Sequence, residues 1–192
     1  LNELKRLATD YARSYQTKKN IPKKTLAAME ESIFNEYFGY VEYDQDVDLE
    51  KVQTVAEQFV AFKETYLPDI DSSENAIRFR RLGNHKALGL YYPSVKCLCV
   101  DVHSPSSLIH EYAHLIDFCY GILSGESDFY QVKRAYEQRL RKKMNEDGDF
   151  RKRMLAKGKY NLSYYLLPTE VFARTFELYV KEILEVNNSL TP

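Results

Sequence analysis

A chain of 192 residues with 44% apolar side chains has enough material to close one core, and its net charge of −1 excludes a wholly basic or acidic polyelectrolyte. No run approaches the roughly eighteen apolar residues of a membrane-spanning helix. The three cysteines are odd in number and set in apolar segments, which argues against a disulfide-built secreted scaffold and for reduced thiols in a cytoplasmic compartment. Leu1 is not an initiator and no cleavable leader opens the chain, so it reads as part of a longer protein.

In chain order, Leu4, Leu7, Ala8, Tyr11 and Tyr15 recur at helical intervals and predict a first helix. Pro22 opens a second, with Leu26, Met29, Ile33, Phe34 and Tyr37 as its stripe and Gly39 as its stop. The acidic segment Glu42 to Asp48 reads as a linker. Leu49, Val52, Val55, Ala56, Phe59, Phe62 and Tyr66 then predict a third amphipathic helix that Pro68 ends. Three helices before any strand suggest an N-terminal helical lobe over residues 1–70, followed by a second region over 71–192. From Ala76 the pattern shortens. Ile77 to Leu82, Ala87 to Tyr92 and Val95 to Val102 are strand-like, separated by the turn signals Gly83-Asn84 and Pro93-Ser94. They predict a small, mostly antiparallel meander in an α+β, mainly helical fold. Cys97-x-Cys99 lacks the second cysteine pair of a structural metal site.

The last strand feeds SPSSLIHEYAHLIDFCY, Ser104 to Tyr120. Ser104 or Ser106 offers N-cap chemistry and Gly121 marks the far end. At the centre of the stretch, His110, Glu111 and His114 stand in the order H-E-x-x-H. Two histidines four apart lie on one helix face, so both imidazoles reach one metal ion, and the intervening glutamate can take a proton from water at that ion. Two core histidines satisfied by other partners are the bland alternative. Beyond Gly121 follow a polar loop, a basic helix from about Phe129 to Asn145, a short helix over Phe150 to Ala156 and the aromatic connection Tyr160 to Tyr165. A last helix runs from Pro168 to about Val186.

The near-zero net charge hides two opposed segments. Residues 28 to 75 carry thirteen acids against Lys51 and Lys63, while 133 to 159 carry eleven Lys or Arg against four acids. Both read as solvated helix faces. The basic strip lacks the aromatic interleaving of a single-strand platform, so nucleic acid is the weaker reading of its partner.

Catalytic zinc keeps three protein ligands and an open position. Glu170, in the first turn of a helix otherwise facing the core, is the better third candidate, because a carboxylate there needs neutralising. Glu177, seven residues on and on the same face, is its rival. His85 and His103, in or beside turns, are weaker ones.

HEYAHLID followed by LPTEVFARTFELYV resembles the gluzincin-type, zincin-like zinc metallopeptidase domains carried by phages and other mobile elements. The run GLYYPSVKCLCVDV before the histidine helix is more distantly similar to the ImmA/IrrE peptidases. The resemblance spans roughly residues 85 to 185 and says little about 1 to 70. It implies a zincin-like fold, zinc as cofactor, His110, His114 and Glu170 as ligands, Glu111 as base and a protein or peptide as substrate. Tyr112-Ala113 departs from the small residues common there, and Tyr112 should pack behind the site. Asp117 is expected to orient a ligand imidazole or to pair with Arg174 across the two helices, the alternative being a surface charge at the helix end. Tyr164, Tyr165 or Tyr160, among sixteen tyrosines, would supply a hydroxyl to the oxyanion of peptide hydrolysis. Against this enzyme reading stands a non-catalytic protein- or nucleic-acid-binding module.

Overall fold

The computed structural model describes residues 2–15, 20–85 and 87–191. Its elements run α1 (Asn2–Ser14), α2 (Lys23–Glu30), β1 (Tyr40–Tyr43), α3 (Leu49–Tyr66), β2 (Ala76–Arg80), β3 (Gly89–Tyr92), β4 (Cys97–Asp101), α4 (Ser107–Cys119), α5 (Tyr130–Glu146), α6 (Gly148–Leu155), α7 (Leu162–Tyr165) and α8 (Pro168–Leu178). The fold is α+β, with a four-stranded sheet in the order β1-β2-β4-β3. No helix of the described residues is long and apolar enough to cross a membrane.

The sheet corrects the expectation of a mostly antiparallel meander. β1 pairs with β2 and β2 with β4 in parallel, and only β3 and β4 are antiparallel. The reason lies in the connections. β1 and β2 are joined through α3, and a crossover of that length returns the chain in the same direction. The tight turn Pro93–Val95 makes a hairpin of β3 and β4, which sets β4 parallel to β2 on its other side.

The segment read as an acidic linker, Glu42 to Asp48, opens with the last two residues of β1. Glu42 and Asp44 are buried because Arg78 of β2, with no exposed surface, meets them at 2.8 and 3.2 Å. Arg78 also donates to the Ser14 carbonyl and Arg80 to that of Arg13, so two guanidinium groups close the C-terminal end of α1. The second predicted helix breaks at Glu31. Ser32 restarts the chain as a single tight turn over Ile33–Glu36, its side chain accepting from the Phe34 amide.

α3 is capped by Asp48, read in the sequence as the end of the linker, whose carboxylate accepts from the Lys51 amide. Its apolar stripe buries Val55, Phe59 and Phe62 in one cluster with Phe34 and Phe38, Leu98 and Val100 of β4, Leu108, Tyr112 and Leu115 of α4, and Val180. Residues on both sides of position 70 therefore share one core. Tyr112 packs edge-on against Phe59, ring centroids 4.9 Å apart, and against Phe38 at 6.3 Å, so it lies behind the histidine face as expected.

Candidate metal centre

α4 starts at Ser107. Neither Ser104 nor Ser106 caps it with its side chain; Ser107 Oγ instead donates to the Leu88 and Ser104 carbonyls, which ties the first turn to the approach to β3. The helix closes at Gly121, whose φ of +97° is a conformation open to glycine and costly for residues with a Cβ. Nearly every residue of α4 between Leu108 and Asp117 is buried. Holding charge in such a helix requires partners, and α8 packs across it to provide them.

His110, His114 and Glu170 offer ligand atoms all within 4.8 Å of one another. Glu170 reaches this point because Pro168 starts α8 and places residue 170 in its buried first turn. His110 Nε2 stands 3.6 Å from one carboxylate oxygen of Glu170, and His114 Nε2 stands 3.5 Å from the other. These separations are long for hydrogen bonds, and the buried Glu170 Oε2 has no hydrogen-bond partner. His110 Nδ1 meets Glu177 Oε2 at 2.9 Å. With Nδ1 donating to that carboxylate, Nε2 presents its lone pair to the centre of the group. Glu177, the rival ligand of the sequence reading, thus orients His110 from outside, and His85 and His103 take no part in the group.

Burial alone would push His110 down, yet the Glu170 and Glu177 carboxylates beside it outweigh that and push it up to about 10. Burial would raise Glu170, but the facing His110 and His114 imidazoles and the nearby Tyr164 hydroxyl hold it well below the usual carboxylate range. Glu111 is pushed up to about 7 by burial, against the pull of both imidazoles. Three carboxylates converge on two histidines, and the Arg174 guanidinium stands 3.6 Å from one of them, Glu170. Two imidazole nitrogens with one carboxylate oxygen form a donor set that a divalent metal ion can use.

Glu111 lies under the start of β3. A Cβ on Gly89 would come within 2.5 Å of Glu111 Cγ, 2.6 Å of its Oε1 and 2.8 Å of Cδ, so the strand passes over the carboxylate with no room for a side chain. The sequence reading overlooked Gly89, although a glycine opening a strand signals close approach of another group. Gly89→Ala is expected to force the strand or the Glu111 carboxylate aside at a cost of about 1–3 kcal/mol, read as a melting temperature lowered by several degrees. Calorimetry of the two proteins measures this, and equal melting temperatures would rule out the contact.

A cavity of about 360 Å³ opens on this face, lined by Leu88, Gly89, His110, Glu111, Tyr164 and Arg174 among others. Tyr160 and Tyr165 line it too, so all three candidate tyrosines reach the cavity wall. They differ in their partners. The ionisation of the Tyr164 hydroxyl is pushed well above the ordinary range, first by burial and then by the neighbouring Glu170 carboxylate. The Tyr165 ring lies 4.6 Å beneath the Arg174 guanidinium.

The expected Asp117–Arg174 bridge does not form. Asp117 is fully buried, and its Oδ1 accepts from the Ser124 amide at 2.7 Å, pinning the loop that follows α4. It is neither a surface charge nor a partner of the histidines: its Oδ2 has no hydrogen-bond partner. Arg174, one turn beyond Glu170 on α8, directs Nε to within 3.6 Å of Glu170 Oε2 and stacks on Tyr165. The geometry of one helix, rather than a contact between two, decides its place.

No family model, no curated protein and no solved structure matches this chain.

Proposed function

We propose that this chain is a zinc-dependent metallopeptidase of the gluzincin type. The observation that carries the proposal is the convergence of His110 Nε2, His114 Nε2 and the Glu170 carboxylate within 4.8 Å, beside a buried carboxylate that is not one of the three. Zinc held by these residues supplies Lewis acidity toward a carbonyl and toward water. The remaining work falls to the side chains. Glu111, free of hydrogen bonds to the histidines, takes the proton of the attacking water and returns it to the leaving amine. Glu177 keeps His110 in one tautomer. Tyr164 stands at the cavity wall with a hydroxyl able to donate to the developing oxyanion, and Arg174 adds positive charge on the same wall.

The sheet provides for an extended substrate. Among the described residues β3 is an edge strand paired only with β4, and its first residues line the same cavity as Glu111. A peptide lying along its open edge makes main-chain hydrogen bonds and brings its carbonyl past the base. Residues 87 to 89 then position the substrate, and α4 and α8 cut it.

Metal analysis of the purified wild type and of His110→Ala tests the site, with about one zinc per chain expected in the first and none in the second. Digestion of a mixed peptide library, followed by mass spectrometry with and without a chelator, tests the reaction. A wild type that binds zinc but cleaves nothing would favour a non-catalytic module. A wild type without affinity for zinc would end the proposal.

A further inference from the structure

The catalytic cavity is not the largest in the molecule. A second one, of about 620 Å³, lies between α5, α6 and α8. Its walls are apolar: Val132, Leu140, Phe150, Met154 and Leu178 line it, with Val132 and Leu178 each more than two-fifths exposed. Tyr165 lines this cavity and the catalytic one alike, so the two are neighbours across a single side chain.

The charged residues on this groove are all cations. Arg139 and Lys143 are four apart on α5 and face the groove together. The acids of α5 are engaged elsewhere: Glu137 pairs with Arg141 at 2.7 Å and Glu146 with Lys142 at 3.8 Å. Lys143 lies over the Phe150 ring at 4.9 Å. Neither Arg139 nor Lys143 has a carboxylate partner among the described residues. An apolar trough with two uncompensated cations at its side complements a ligand that is apolar and anionic.

We propose that this groove is a substrate subsite, selecting peptides in which a large apolar residue stands beside an acidic one, with the apolar side chain in the groove and the carboxylate at Arg139 and Lys143. The proposal rests on the peptidase reading for its substrate class, and on the shared Tyr165 wall for its place next to the cleavage point. It assigns a use to the basic α5 face that the chemistry at the metal leaves unexplained.

The test measures binding and cleavage separately, on the full zinc-loaded chain. Two fluorescein-labelled peptides are titrated by anisotropy, one containing Leu-Phe-Asp-Glu and one containing Gly-Ser-Lys-Lys at the same positions. The apolar, acidic peptide is expected to bind the wild type at least about tenfold more tightly. Ala135→Phe, which fills the groove from an exposed helix position, is expected to abolish that preference. Arg139→Glu with Lys143→Glu is expected to weaken the acidic peptide about tenfold while leaving the melting temperature within a few degrees. Hydrogen exchange of the wild type should show protection by the acidic peptide over α5 and α8. Equal affinity for both peptides, or unchanged binding in both variants, overturns the subsite. Groove-dependent binding without hydrolysis upholds the groove as a site for apolar, acidic peptides and overturns the peptidase reading. Hydrolysis indifferent to the groove variants does the reverse.

Discussion

Glu111→Gln is expected to keep the metal and the fold while lowering peptide hydrolysis by about 10²–10⁴-fold, the contribution usual for a positioned general base. The amide has nearly the shape of the carboxylate, so it still fits beneath Gly89, where the available space admits no extra atom. What it loses is the ability to take a proton. The substitution is also gentle on stability, because burial already holds Glu111 near the point of neutrality, at about 7. Replacing a carboxylate that is costly to ionise with a neutral group removes a desolvation penalty. A melting temperature equal to or above that of the wild type is therefore expected together with the loss of activity. Zinc content, circular dichroism and turnover on the same preparation measure all three. Activity retained within threefold of the wild type would remove Glu111 from the mechanism, whatever the histidines hold.

The grouping of His110, His114 and Glu170 was legible because its signal is local. Two histidines on consecutive turns of one helix, a proline opening another, and a glutamate in that helix's first turn are patterns that short stretches of chain impose by themselves. The helices α3, α5 and α8 were readable for the same reason, through apolar residues at three- and four-residue spacing. Strand direction is decided by connections and partners far apart in sequence. β1 has only four residues, and Glu42 makes it look like a linker until Arg78, 36 positions later, is seen to neutralise it. The Asp117 assignment failed in the same way. Its partner is a backbone amide in the loop seven residues ahead, and no side-chain pattern announces a backbone donor. Gly89 lay between these cases: its position in the strand was visible, but the group it makes room for belongs to a different element.

Phe59→Ala, far from the metal and in the first third of the chain, is expected to destabilise the whole molecule by about 3–5 kcal/mol. Phe59 is fully buried, with ring centroids 5.7 Å from Phe34, 5.9 Å from Phe38 and 4.9 Å from Tyr112. Removing it leaves a void at the junction between α3 and α4, and the close-packed rings around it can fill only part of that space. Tyr112 follows Glu111 directly and lies between the two histidines in the chain, so the back of the histidine face loses its support. A loss of this size lowers the melting temperature by roughly 10 °C or more in a chain of this length. It also has a consequence that separates one core from two. With the first seventy residues and the histidine helix sharing a cluster, zinc release, followed with a chromogenic chelator during heating, should shift downward in step with the loss of helix. An independent N-terminal lobe would instead melt early and leave zinc release at its wild-type midpoint. Coincident midpoints mean that the metal centre owes its rigidity to α3, and that substitutions along the Val55, Phe59 and Phe62 stripe will act on catalysis through the positions of His110 and His114.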